Sequence, residues 1–359
     1  MIYYFVIGIL ALFSFYNLTD LNRNRNKYLR ILSFLMILVV GGLRYKVGAD
    51  WDSYKNIYYE TINIADIFNA REEKLFMFFL YISKKIINSY SFFVFIFFLV
   101  SFYIKYNVFK KYSSDIFLSL IIYFYTLFLI YDVNGIRQGM ALGLVLFSIR
   151  YILNKELLQF LVIISIATLF HTSAIIFIPF YWLANFTISK KIIIVVIISS
   201  LIISIPIRML IEQSSYMQLL LTMDSFSHYS FYIENNIAGR KLPILSIAVF
   251  QRLFIFSLFI INFDKIKASD ELKRLLLNGY FVSILLFVFL SFSADLAARG
   301  SFYYKSLETL LIPFIITSQN KLINRMLLFI IIILFAIYGT YRLLEIPYGG
   351  LIPYNLIKL

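Results

Sequence analysis

Met326-Leu327-Leu328-Phe329-Ile330-Ile331-Ile332-Ile333-Leu334-Phe335-Ala336-Ile337-Tyr338-Gly339-Thr340-Tyr341 carries no charge over sixteen residues. As an α-helix rising 1.5 Å per residue it covers about 24 Å, enough with interfacial ends to cross about 30 Å of hydrocarbon. Similar runs recur along the chain, at roughly 2–18, 29–43, 90–106, 116–131, 138–153, 157–170, 174–185, 190–209, 243–262, 275–292, 302–318 and 326–343. A lipid-facing barrel strand alternates apolar and polar residues, and these runs do not. The expected fold is therefore all-α, a polytopic membrane bundle of about twelve transmembrane helices. Composition agrees: 61% of residues are hydrophobic and 14% charged, and mean hydropathy is +0.84, beyond what a soluble domain of 359 residues requires.

Residues 1–359 read as one integral membrane domain with two long hydrophilic stretches, about 44–74 and 211–242. The first run has no basic flank before it, and Arg23, Arg25, Lys27 and Arg30 follow it. It reads as a retained helix that starts outside, not as a cleaved signal peptide. Residues 74–88 hold lysines at both ends, with Lys84 and Lys85 at one and Glu72-Glu73-Lys74 at the other. They are placed as an interfacial or re-entrant helix. With that choice the cytoplasmic ends and loops hold seventeen Lys/Arg against six Asp/Glu, and the exported side thirteen of each, the asymmetry that orients membrane proteins. Both long hydrophilic stretches then face outward.

The net charge of +14 thus reports orientation before it suggests nucleic acid, and no nucleic-acid partner is expected. Cysteine is absent and only His171 and His228 are present. Disulfides, thiolate nucleophiles, Cys-ligated zinc and multi-histidine metal sites are excluded together. There is no Gly-rich phosphate loop for a nucleotide. The 39 Phe and 28 Tyr fit interfacial aromatic belts as well as sugar stacking, so composition alone names no ligand.

Basic residues on the exported side are informative because orientation does not explain them. Arg44, Arg137, Arg208, Arg240, Lys241 and Arg299 all fall near that face. From Arg137 to Asn154 a helix descends about 26 Å, and from Lys155 to His171 the next returns about 24 Å, so Arg137 and His171 sit at similar depth. Guanidinium groups suit a diphosphate, being planar, permanently charged and able to donate paired hydrogen bonds. Each could equally snorkel to lipid headgroups or join a local ion pair, such as Asp295 with Arg299. His171 could be a structural histidine with one hydrogen bond. Asp50-Trp51-Asp52 could hold a divalent metal; Asp50 could also be a metal-free base or a partner of Arg44.

Several of these residues fall in short motifs. Gly42-Leu43-Arg44-Tyr45 is followed by Gly48-Ala49-Asp50-Trp51 and Tyr54, then by Asn134 with Ile136-Arg137-Gln138 and Ala141. Leu169-Phe170-His171-Thr172-Ser173 comes next, and later Ala298-Arg299 with Tyr303 and Pro313. In these the chain resembles the EpsG-like, Wzy-type polysaccharide (O-antigen) polymerases, although Ala49 stands where Thr is more usual. The resemblance implies a GT-C-like membrane glycosyltransferase of the bacterial inner membrane. Such an enzyme transfers a growing glycan from undecaprenyl diphosphate onto a newly flipped, lipid-linked repeat unit at the exported face. It implies Asp50 and His171 as catalytic candidates. Arg44, Arg137 and Arg299, with Tyr45, Tyr54, Asn134, Gln138 and Tyr303, are candidate diphosphate and glycan contacts. Expected partners are undecaprenyl-diphosphate-linked oligosaccharides, membrane lipids and a chain-length regulator, with no cofactor and no metal. A lipid-linked glycan ligase and an oligosaccharide-lipid flippase are the rival readings.

The cysteine-free chain gives a clean test of this topology. Single cysteines at Asn24, Ser269 and Asn320 should be shielded from an impermeant thiol reagent in intact cells, and those at Asn63 and Ser227 labelled. Labelling of Ser269 with shielding of Asn63 would reverse the orientation.

Overall fold

The computed structural model describes residues 1–19, 27–213, 246–346 and 349–357. Among them the chain is helical throughout, with one isolated backbone bridge between Arg44 and Leu356. The helices are α1 (Ile2–Thr19), α2 (Lys27–Gly42), α3 (Trp51–Glu60), α4 (Ile64–Asn69), α5 (Lys74–Ile86), α6 (Tyr90–Tyr112) and α7 (Ile116–Tyr123). A π-helix (Phe124–Asn134) continues α7, followed by α8 (Ile136–Leu153), α9 (Leu157–Phe170), a 3-10 turn (Thr172–Phe177), α10 (Phe180–Leu183) and α11 (Lys190–Gln213). Then come α12 (Ile247–Asn262), α13 (Asp270–Phe289), α14 (Ala294–Lys305), α15 (Glu308–Thr317) and α16 (Leu322–Leu344). Two compact units result: Met1–Ile178 with Lys265–Lys267 and Glu308–Leu359, and Pro179–Asp264 with Ala268–Leu307.

Eight of the described helices are long and apolar enough to cross a membrane: α1, α6, α7 with its π continuation, α8, α11, α12, α13 and α16. Other expected spans are shorter. Helix α9 has 14 residues and α2 has 16. Residues 174–185 divide at Pro179, which the 3-10 turn precedes and the four-residue α10 follows. The stretch 302–318 divides at Ser306, whose hydroxyl turns back onto the Tyr303 carbonyl at 2.6 Å, so that α15 restarts at Glu308. Most of the loop 211–242 lies outside the described residues.

In the first unit the segment 116–134 is central: 94% of its most apolar window is buried, against 17% for α16, whose exposed Leu327, Ile330, Leu334 and Ile337 suit lipid contact. Asp115 caps α7, its Oδ1 accepting from Phe117 N at 2.9 Å and Leu118 N at 3.0 Å. Helices α1, α15 and α16 pack around this segment, and α8 packs between α6 and α9. In the second unit α13 packs on α10, α11, α12 and α14, and Asn278 donates to the carbonyls of Leu183 and Phe186 at 2.8 Å each.

Helix α5 begins and ends against the first hydrophilic stretch. At its start Glu73 is bound to Arg137 and His171. Near its end Lys84 Nζ donates to the Tyr58 and Thr61 carbonyls at 2.8 and 2.9 Å. Tyr90, at the start of α6, donates to the Trp51 carbonyl at 3.1 Å. At 13 residues, α5 spans only about 20 Å, short of the thickness of the hydrocarbon core.

Deep in this unit lies a charge pair whose members the sequence assigns to opposite sides. Lys105 Nζ is 2.6 Å from Asp132 Oδ1, with both side chains at most 1% exposed. Ser101 donates to the same oxygen at 2.9 Å, Lys105 donates to Ser101 at 2.6 Å, and Tyr123 donates to Oδ2 at 2.7 Å. Gly139 makes room, since a Cβ there would stand 2.6 Å from Asp132 Oδ1. Both charges therefore leave the orientation tally, which keeps its sign.

In such a pair, removing one partner strands the other charge, whereas removing both does not. Lys105→Met or Asp132→Leu alone should each cost roughly 3–5 kcal/mol of stability, read as loss of folded protein on heating in detergent. The double substitution should recover most of that loss. A double variant as unstable as the sum of its parts would show that the two charges do not act as a pair.

Candidate functional site

Helices α8 and α9 form an antiparallel pair, so the start of one meets the end of the other. Arg137 and Gln138 lie in the first turn of α8, and His171 follows α9 directly. There Gln138 Nε2 lies 2.7 Å from His171 Nε2. The other ring nitrogen, Nδ1, lies 2.9 Å from Glu73 Oε1, which also accepts from Thr172 N at 3.2 Å. Glu73 Oε2 forms an ion pair with Arg137 Nη1. One carboxylate therefore holds the imidazole with one oxygen and the guanidinium with the other.

Aromatic rings complete the cluster. The Arg137 guanidinium carbon stands 5.8 Å from the ring centres of both Tyr54 on α3 and Phe76 on α5, within cation–π range. The Arg137 and His171 side chains remain 27% and 19% exposed, and that of Glu73 10%. The cluster thus has an open edge on Arg137 and a closed one on Glu73. Burial alone would raise the Glu73 carboxyl; the hydrogen bond to His171 and the charge of Arg137 outweigh it and hold the group at about 2.

The geometry selects a tautomer for neutral His171. An ionised Glu73 only accepts, so Nδ1 carries the proton and Nε2 presents its lone pair toward the Gln138 amide. A Gln amide can also turn its oxygen to a protonated ring. Gln138 can therefore serve either charge state of the histidine.

The first motif forms a second feature of the same unit. Arg44 is 2% exposed, its Nη1 bonded to the Gly41 carbonyl and its Nη2 donating to the Val133 carbonyl at 3.3 Å. Asn134 Oδ1 accepts from Ala49 N at 2.9 Å. Gly48 has φ +112°, a conformation open to glycine, and a Cβ there would meet the Val133 carbonyl at 2.7 Å. The last residues of the π-helix thus hold residues 44–49. From the other side the carboxyl-terminal segment holds them too: Tyr45 N donates to Asn355 O at 2.9 Å and Gly48 N to Gly350 O at 2.8 Å. Tyr45 is half exposed and meets Trp51 edge-on at 5.9 Å. Asp50 directly precedes α3. Beside this loop is a cavity of about 530 Å³ whose walls include Lys46, Ala49, Trp51, Asp52, Glu345 and Ile352.

Of the residues singled out in the sequence, the structure brings together Tyr54, Arg137, Gln138 and His171 as one cluster, and Arg44, Tyr45, Asp50 and Asn134 as a braced loop. Arg299 and Tyr303 lie about one turn apart on α14 in the second unit, Arg299 exposed and Tyr303 fully buried. Arg240, Lys241 and His228 fall outside the described residues, as do the side chains of Arg208 and Asp295. Among the described residues no group of three or more His, Asp or Glu could hold a metal ion.

Glu73 is the participant that sequence reasoning missed. It stood in Glu72-Glu73-Lys74 as one acidic residue among several in the first hydrophilic stretch. The available signal was the shared depth of Arg137 and His171, since a carboxylate can bridge a guanidinium and an imidazole held at one level.

No curated protein and no solved structure matches the chain. The family model described as the EpsG family matches residues 27–356, and so takes in both the loop and the cluster. The chain therefore belongs to the EpsG family, which supports at a coarse level a polysaccharide-polymerase-like membrane glycosyltransferase.

Proposed function

We propose that this protein extends a polysaccharide at the exported face of the bacterial inner membrane. It transfers the growing glycan from undecaprenyl diphosphate onto the non-reducing end of a lipid-linked repeat unit. The observation that carries the reading is the Glu73 carboxylate, which holds a candidate base and a candidate diphosphate-binding cation in one unit.

In this reading the acceptor hydroxyl replaces Gln138 at His171 Nε2. Its oxygen forms a bond to the anomeric carbon of the donor glycan while its proton passes to Nε2. The bond from that carbon to the diphosphate oxygen breaks, and its electron pair leaves with the diphosphate. Arg137 meets the developing charge, as preorganised donors do at departing phosphates; Arg299, in the second unit, is a separate candidate diphosphate contact. Asp50 remains a second candidate base. Tyr54 supports Arg137 through its ring, and Gln138 passes the imidazole to the acceptor. Arg44 and Asn134 hold the loop that carries Tyr45 and Asp50, and Tyr303 follows Arg299 about one turn later on the same helix. A chain-length regulator is the proposed protein partner.

Deleting the gene should leave single repeat units on the carrier lipid, transferred but not extended. Loss of all surface glycan would instead favour a ligase or a flippase.

Lysine keeps the charge of arginine and loses the planar fork. Arg137→Lys and Arg299→Lys should each lower polymerisation roughly tenfold or more, a loss of about 1.4 kcal/mol or greater, with protein level and membrane insertion unchanged. Near-normal chain lengths in both variants would sink paired donation to a diphosphate.

A further inference from the structure

We propose that Glu73 couples the arrival of a diphosphate at Arg137 to the basicity of His171. The inference rests on the reading of Arg137 as a diphosphate-binding residue, and it assigns Glu73 as a positioning residue.

The geometry supplies the coupling. Glu73 has two oxygens and three partners: the imidazole Nδ1 and the Thr172 N–H on Oε1, and the guanidinium on Oε2. The groups facing His171 are Glu73 from the start of α5 and Gln138 from α8; Arg137 lies beyond the carboxylate, with Tyr54 from α3 against its guanidinium. Arg137 is more open than His171 or Glu73, so of the three an anion reaches it first. A diphosphate bound there shares the guanidinium that now neutralises Glu73. The carboxylate, less compensated, attracts the Nδ1 proton more strongly, and Nε2 becomes the better proton acceptor. Before a ligand arrives Glu73 is held ionised, well below the ordinary carboxylate range, by its hydrogen bond to His171 and the charge of Arg137; the His171 bond stays when Arg137 is shared, so the carboxylate transmits charge without taking the proton itself.

The consequence is an order of events. With Arg137 engaged only by Glu73, His171 is the weaker base and is covered by Gln138. With a diphosphate on Arg137, the base strengthens when a leaving group is present to depart. An empty site is thereby disfavoured from activating water.

With two histidines in the chain, a His228→Gln background leaves His171 as the single imidazole. The full-length protein in nanodiscs, labelled with carbon-13 and nitrogen-15 histidine, can be titrated by NMR with and without farnesyl diphosphate, whose binding is followed by phosphorus NMR. The expected result is an upward move of the His171 midpoint by about one unit, tenfold in proton affinity, on binding. Glu73→Asp should keep most of that move, and Glu73→Gln should lose more than half of it while still binding. An equal move in the wild-type and Glu73→Gln proteins would mean that the ligand's own charge acts directly, and would overturn the coupling. Binding without any move would overturn it as well, leaving Arg137 as a diphosphate site. Absence of farnesyl diphosphate binding to the wild-type protein would remove that site, and the coupling with it. Should Glu73→Gln fail to fold, a Glu73→Asp protein that binds but shows no move would count against the proposal.

Discussion

The Asp132 carboxylate, sealed in the middle of the first unit, is the constraint on which the rest of that unit depends. A charge in hydrocarbon is tolerated only when paired and fully hydrogen-bonded. Asp132 meets both conditions through Lys105, Ser101 and Tyr123. Those partners come from α6 and α7, so the carboxylate pins the π-helix against both. Wider π turns cost helical regularity and recur at functional sites. Here the π-helix delivers the Val133 carbonyl and the Asn134 side chain to the loop at residues 44–49.

A chain of contacts therefore runs from the buried pair to the motif loop. Asp132 fixes the end of the π-helix, Val133 and Asn134 hold Arg44 and Ala49, and the carboxyl-terminal segment closes from the other side. Arg44 shows how context sets the use of a residue type. Buried and bonded to two backbone carbonyls, its guanidinium neutralises carbonyl ends that would otherwise be unsatisfied in an apolar setting. Arg137, partly open and lying over two rings, keeps a face that can meet a ligand. The two arginines differ in their surroundings, not in their chemistry.

Glu73 plays for the cluster the part that Asp132 plays for the core. It stands at the start of a short helix, and so brings a carboxylate from the first hydrophilic stretch to the ends of α8 and α9. A cation and an imidazole left together without it would repel whenever the ring took a proton. With it, the two are held at fixed distance and can be used in concert.

The amino-acid sequence by itself determined the class of fold, because apolar runs long enough to cross hydrocarbon leave the helix as the solution that satisfies their backbone. It also determined that Arg137 and His171 share a level, since helix rise is constant along an antiparallel pair. Tertiary structure alone decided the rest. Lys105 reads in the sequence as a helix-end lysine, and Asp132 as a loop acid across the membrane; burial against each other depends on helix packing that linear position does not encode. Residues 174–185 and 302–318 read as continuous spans, yet Pro179 and the turn at Ser306 divide them. Glu73 is separated from Arg137 by 64 residues and from His171 by 98. A side chain's partners across such distances are set by where folded helices end, and no periodicity in the chain records that.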